Sequence, residues 1–180
     1  MNSDFLSLVN SRQSDRQYDS SRPVEQEKLD RILEAARLAP SACNGQPWHF
    51  VVLTDPDKVK QAGKAAAGLG MNRFAADAPV LILVVEEHTN AEAFAGKLIK
   101  KRDFALLDIG IAASHIVLAA ESEGLGSCIM GWFDEKKIKD IAGVPGSKRI
   151  QLVISLGYTD TPKRRKVRKK AETVITYNRY

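Results

Sequence analysis

Four short segments of this chain carry residue types from which chemistry can be built. The first, Arg12-Gln-Ser-Asp-Arg16, sets two guanidinium groups four residues apart with a hydroxyl between them. One arginine can grip a phosphate while the other lies at the edge of an electron-rich ring. Read alone, the same residues equally describe a solvated polar turn, the usual state of arginine. The second, Pro40-Ser-Ala-Cys-Asn-Gly-Gln-Pro-Trp48, places a hydroxyl and two carboxamides between prolines that restrict the backbone. Carboxamides both donate and accept, which suits the rim of a flat heteroaromatic ring that shows carbonyls beside ring N–H groups. The competing reading is a structural turn in which Ser41 and Asn44 bond their own backbone.

The third segment is Gly124-Leu-Gly-Ser-Cys-Ile-Met-Gly131. A dinucleotide-binding GxGxxG pattern starting at Gly124 needs glycine at position 129, which is Ile, so that fingerprint fails. Small residues here allow the backbone to approach a planar ligand, or else mark bends in a buried strand. The fourth is the run from Lys163 to Lys170, seven cations interrupted only by Val167. Such a run is either a solvated arm or a closure over a phosphate, because a dianion needs several cationic or N–H donors.

Other constellations are poorer. Cys43 with His49, or Cys128 with His115, lacks any nucleophile motif. Glu86-Glu-His88 lacks the helical spacing of a zinc protease, and no metal site is expected. The net charge is +5, and removing the seven tail cations leaves the other 172 residues near −2. A slightly acidic body argues against a nucleic-acid-binding module. The two cysteines lie far apart and fit no disulfide framework, which points to a reducing cytoplasm. No secretory leader is evident, and no stretch reads as the roughly 18–20 apolar residues of a membrane span.

These segments need elements to hold them. Asp4 to Asn10 reads as a short helix capped by Ser3, and a second helix follows Pro23 with Leu29, Ile32, Leu33 and Ala36 on one face. It ends near Ala39 and Pro40, so the carboxamide loop leaves a helix C-terminus and enters a strand from Trp48 to Thr54. Asp55-Pro56 starts another helix. Pro79 to Val85 is continuously apolar, as a central strand covered on both faces must be. Phe104 to Glu123 is apolar nearly all round, interrupted by Asp108, Ser114 and His115; a core position or a dimer interface explains it equally well. Asp134 caps a further helix, and Arg149 to Tyr158 is a strand. Nothing divides the chain, so a single α+β domain over residues 1–180 is expected.

Taken in order, the four segments resemble the nitroreductase family over nearly the whole chain. That family has an Arg-x-Ser-x-Arg/Lys segment after the first helix and a Pro-Ser-x-x-Asn-x-Gln-Pro-Trp loop before the first strand. An Ala-Pro-led strand and a Gly-Leu-Gly-x-x-x-x-Gly segment follow, and this chain has all of them, including Ala78-Pro79. The resemblance implies an α/β/α sandwich with a central, mainly antiparallel sheet, in an intertwined homodimer with FMN at the subunit interface. It implies that residues 159–180 form a C-terminal extension reaching the partner subunit. It places Arg12 and Ser14 at the FMN phosphate and ribityl region, with Gln13 giving backbone contacts and Arg16 near N1 and O2 of the isoalloxazine. Pro40, Ser41, Ala42 and Asn44 would line the flavin from the partner, with Gln46 supporting their loop. Met130 and Gly131 would approach N5 and O4, and Lys166 and Arg168 would be a second phosphate clamp in a register open by a residue or two. Asn72 stands in surroundings that depart from the family and is left out.

The implied activity is reduction of nitroaromatic, quinone or similar electron-poor small molecules by NADH or NADPH in alternating half-reactions, with no catalytic side chain because the reaction occurs at flavin N5. The same fold hosts ene reductases and reductive dehalogenases, and fold does not choose between them. The short span between Glu86 and Arg102 leaves little room for the long lid of those enzymes, which favours the general reductase.

Overall fold

Strand β2, Val80–Glu86, is apolar from Val80 to Val85 and buried throughout that run, so helices must cover both of its faces. A computed structural model describes residues 3–68, 70–88 and 102–180. β2 pairs antiparallel with β1, Trp48–Leu53, from Trp48 opposite Glu86 to Leu53 opposite Leu81. On its other side it pairs antiparallel with β4, Arg149–Gly157, which in turn pairs antiparallel with β3, Gly126–Met130. The sheet order is β1-β2-β4-β3.

The period of two along β2 separates two cores. Val80, Ile82 and Val84 join Leu29, Ile32 and Ala36 of α2, Gln26–Arg37, and Ile109, Ala112 and Ile116 of α4, Phe104–Ser122. Leu81, Leu83 and Val85 face Val59, Ala62 and Ala66 of α3, Pro56–Ala66, and Ile138 of α5, Glu135–Ala142. Helix α1, Ser3–Ser11, packs against α4, and a short α6, Ala171–Val174, lies in the tail. The expected α/β/α layering is present, with every strand pair of the sheet antiparallel.

Local sequence accounts for several starts and stops. Asp55 accepts hydrogen bonds from the N–H groups of Asp57 and Lys58, both at 3.0 Å, with Pro56 as the first helical residue. Asp134 caps α5 through the Lys137 N–H at 3.1 Å. Gly126 and Gly157 face each other across β3 and β4. A Cβ at Gly157 would lie 2.4 Å from Pro79 Cδ, and one at Gly126 2.5 Å from Thr159 Cγ2 and 2.9 Å from Asp15 Oδ2. The glycines are required there because chain segments press on both strand ends.

Two expectations are corrected, the start of α1 and the absence of a membrane-length apolar stretch. Helix α1 begins at Ser3 itself, so Ser3 is its first residue rather than the cap before it. Of the two readings of the segment from Gly124, the strand is the one present: it is chiefly the edge strand β3, and its glycine at 126 makes room for the chain's own Asp15 and Thr159. Within the single chain α4 leaves Leu106, Leu107 and Ile111 exposed, whereas Ala105, Asp108, Ile109 and Ala112 are buried. Its 19 residues are also long and apolar enough to cross a membrane, against the reading that no stretch was. Its packing on the sheet through Ile109, Ala112 and Ile116 identifies it as a core helix. Residues 89–101, the span judged too short for a lid, lie outside the described residues.

Helix α3 packs tightly on the 3-10 turn Arg73–Ala76, where a Cβ at Gly63 would lie 2.5 Å from the Ala75 carbonyl oxygen. Gly63→Ala gains up to about 1 kcal/mol of helix propensity. Overpacking against backbone that has no room to move costs about 1–3 kcal/mol. The variant is therefore expected to be less stable, read as a lower urea midpoint at unchanged slope; an equal or higher midpoint contradicts this packing.

Candidate functional site

Segment 12–16 leaves α1 through the bond from Arg12 N to the Leu8 carbonyl, 3.0 Å, and then runs extended beside the free edge of β3. Asp15 N donates to the Ser127 carbonyl at 2.9 Å, and Ser14 and Ser127 form a parallel bridge. Tyr18 anchors the far end: its hydroxyl lies 2.8 Å from Ser155 Oγ and donates to the Asp15 carbonyl at 3.0 Å. Burial pushes the Tyr18 phenol well above its ordinary range, so it stays neutral and available as a donor.

The basic tail folds back onto this segment. The Gln13 side-chain carbonyl accepts from Arg164 N at 3.0 Å, and Arg164 Nη2 donates to the Ser14 carbonyl at 2.6 Å. Lys166 Nζ donates to the Arg12 carbonyl, and Lys163 pairs with Glu121 at 2.7 Å. The run is thus bound to the body rather than a free arm. Between segment and tail lies a cavity of about 300 Å³ bordered by Arg12, Gln13, Ser14, Arg16 and residues 164–168. Six of those residues are cationic and none is acidic. Burial first, and then repulsion from Arg12 and Arg168, lowers the Lys166 ammonium below its ordinary value. An anion placed in the cavity reverses that repulsion.

The structure therefore brings Arg12, Gln13, Ser14, Arg16, Lys166 and Arg168 together. The sequence reading did not include Arg164 and Arg165 in the site, although both border the cavity. The Gln13 side chain is buried and holds the tail, a role beyond the backbone contacts expected of it. Only the excess of basic residues near Lys166 signalled the additional pair.

The loop from Pro40 to Trp48 occupies a different part of the chain. Cys43, Asn44 and Gln46 adopt positive φ of 51°, 52° and 45°. Such conformations cost non-glycine residues about 1 kcal/mol or more each and persist where surrounding contacts impose them. Ser41 Oγ accepts from Gln46 N at 3.0 Å, and Gln46 Nε2 donates to the Asn44 backbone and side-chain oxygens, both at 3.2 Å. The Asp108 carboxylate of α4 accepts from Ala42 N at 3.1 and 3.2 Å. Asp108, noted in the sequence only as an interruption, ties the loop to α4. Asn44 and Gln46 remain exposed.

Met130, buried at the end of β3, packs into the α3/α5 core. A Cβ on the following Gly131 would meet nothing within 4 Å, so its backbone faces open space. Asn72, left out of the sequence reading, donates from Nδ2 to the Trp132 carbonyl at 2.9 Å and so lies beside this segment. Burial pushes the Cys128 thiol above its ordinary value, and His115 Nδ1 bonds the Ile111 carbonyl. Among the described residues no cluster of His, Cys, Asp and Glu could hold a metal.

The nitroreductase family pattern matches residues 9–158. A Thermus thermophilus NADH dehydrogenase is 31% identical over 173 positions, covering 82% of each chain. The oxygen-insensitive NADPH nitroreductase of Helicobacter pylori strain 26695 is 28% identical over 198 positions, covering 94% of each. The solved structure of an FMN-dependent nitroreductase from Clostridium difficile R20291 superposes with a TM-score of 0.79 at 30% identity, covering 97% of this chain and 99% of that one. The match runs from the end of α1 through β4 and includes three of the four segments read from the sequence, and the chain belongs to the nitroreductase family.

Proposed function

We propose that this chain is an FMN-dependent oxidoreductase that takes electrons from NADH or NADPH and passes them to nitroaromatic, quinone or similar electron-poor acceptors. The cationic cavity closed by the tail over segment 12–16 carries this reading. Its donor set fits a phosphate monoester: guanidinium groups for bidentate contact, the Lys166 ammonium, and the Ser14 hydroxyl. FMN bound there supplies the two-electron chemistry that links donor to acceptor.

The protein's part is positioning and electrostatics. Arg12, Lys166 and Arg168 hold the phosphate. Arg16, on the border of the same cavity, would stand by N1 and O2, where negative charge gathers on reduction, and a fixed guanidinium there would favour that charge. The backbone of Met130 and Gly131 would serve N5 and O4, with open space beside Gly131. These assignments leave the exposed amides of Asn44 and Gln46 unused in the same chain. A second copy supplies them, with Pro40, Ser41 and Ala42, if the apolar faces of α1 and α4 form the dimer contact. Phe5, Leu6, Leu107 and Ile111 are exposed there beside an apolar groove of about 620 Å³, and Asp108 ties the loop to the same helix. The tail beyond α6, with Ile175 and Tyr177 exposed, extends onto that partner. The exposed Cys43 and unpaired Cys128 suit a reducing cytoplasm.

Purified protein is expected to be yellow with FMN at about one per chain, and to bleach under anaerobic titration with NADH or NADPH; a colourless protein that takes up no FMN overturns the reading. Arg16→Ala is expected to weaken flavin binding and lower the flavin potential by about 30–60 mV, the loss of one charge-assisted contact. An unchanged potential at full occupancy removes the role given to Arg16. Leu107→Glu, which puts a charge on the α4 face, is expected to shift sedimentation from dimer to monomer and weaken FMN binding more than tenfold. A monomeric wild type, or a variant that stays dimeric with full flavin content, argues against that interface.

A further inference from the structure

The side chain of Asp15 is directed away from the phosphate cavity, yet it is 1% exposed, and a buried carboxylate without a role is costly. Its Oδ1 accepts from Gln13 Nε2 at 2.7 Å. Its Oδ2 is buried under Gly126 and accepts no hydrogen bond among the described residues. Gln13 is itself 6% exposed, and its amide reaches the tail with both ends. Nε2 also donates to the Pro162 carbonyl at 3.3 Å, and Oε1 accepts from Arg164 N at 3.0 Å and Nε at 3.3 Å.

We propose that Asp15 is a positioning residue of the cavity: its buried carboxylate sets the direction of the Gln13 amide, and that amide clasps tail residues 162–164 over segment 12–16. The physical reason is the asymmetry of a carboxamide. Only its NH2 end can face an ionised carboxylate, so its carbonyl is turned toward the Arg164 N–H groups. A flipped amide sets oxygen against oxygen at Asp15 and N–H against N–H at Arg164, losing every bond of the clasp. Asp15 acts on the tail through Gln13.

The clasp follows from the geometry; that its ligand is FMN rests on the proposed function. Two readouts separate them. FMN and riboflavin, which lacks the phosphate, are titrated into the flavin-free full-length chain, and trypsin cleavage within residues 163–170 is timed without flavin. In Asp15→Ala and in Gln13→Leu, FMN affinity is expected to fall about tenfold, the scale of one charge-assisted hydrogen bond, with riboflavin affinity unchanged and the tail cut faster. Because one residue acts through the other, the double variant should be no worse than either single one. Asp15→Asn keeps an acceptor for Gln13 and should recover most of the FMN affinity. Parallel loss of FMN and riboflavin, additive single effects, or an Asp15→Asn no better than Asp15→Ala overturns the proposal. If Asp15→Ala does not fold, Gln13→Glu takes its place: it sets two carboxylates together and should open the tail, and unchanged trypsin cleavage overturns the clasp. A wild type that binds neither flavin refutes the flavin reading alone, and the trypsin comparison then decides the clasp.

Discussion

Six cationic side chains held around a cavity of about 300 Å³ repel one another, and much of this molecule is organised to keep them there. Arg12 and Arg16 come from the chain's beginning and residues 164–168 from its end, so neither segment makes the site alone. The backbone resolves part of the tension. Lys166 is turned onto the Arg12 carbonyl and Arg164 onto the Ser14 carbonyl, so each cation is partly neutralised by a backbone dipole of the other segment. What remains is a positive field suited to a phosphate.

The sheet makes that meeting possible. β3 is an edge strand, and its free side accepts segment 12–16 through Ser14 and Asp15. β4 pairs with β3 and ends at Gly157, after which Tyr158 and Thr159 turn the chain toward the same edge. The Asp19 N–H bonds the Tyr158 carbonyl at 2.9 Å and joins the two paths once more. Paired glycines at 126 and 157 let Asp15, Thr159, Tyr18 and Pro79 pack against the strand ends at distances no side chain there would allow. An edge strand is usually a liability, and here its exposed backbone is used to dock the binding segment.

The carboxamide loop follows a different principle. Its three left-handed non-glycine residues are held by bonds inside the loop and by Asp108, so its shape is imposed before any ligand arrives. Such strain is typical of surfaces built to meet a partner molecule, with the cost carried by the rest of the fold. The exposed apolar residues of α4 lie on the same helix as Asp108, which couples loop placement to whatever covers that helix.

Much of this was legible in the sequence because it is local. Helix starts at Asp55 and Asp134, the doubly covered strand at Val80, and the residue types of the 12–16 and 40–48 segments follow from neighbours a few positions apart. The order of four motifs carried the family. Chain proximity across long separations was not legible. Only the fold revealed that Gln13 grips Arg164 with its side chain, that Asp108 anchors Ala42, and that Asn72 reaches Trp132. The same limit applies to α4, whose composition is apolar on every side and whose neighbours in this chain cover one face. Composition determines what a segment is able to bury; packing decides which of its faces is buried and which remote side chains it meets, because those depend on where the rest of the chain returns.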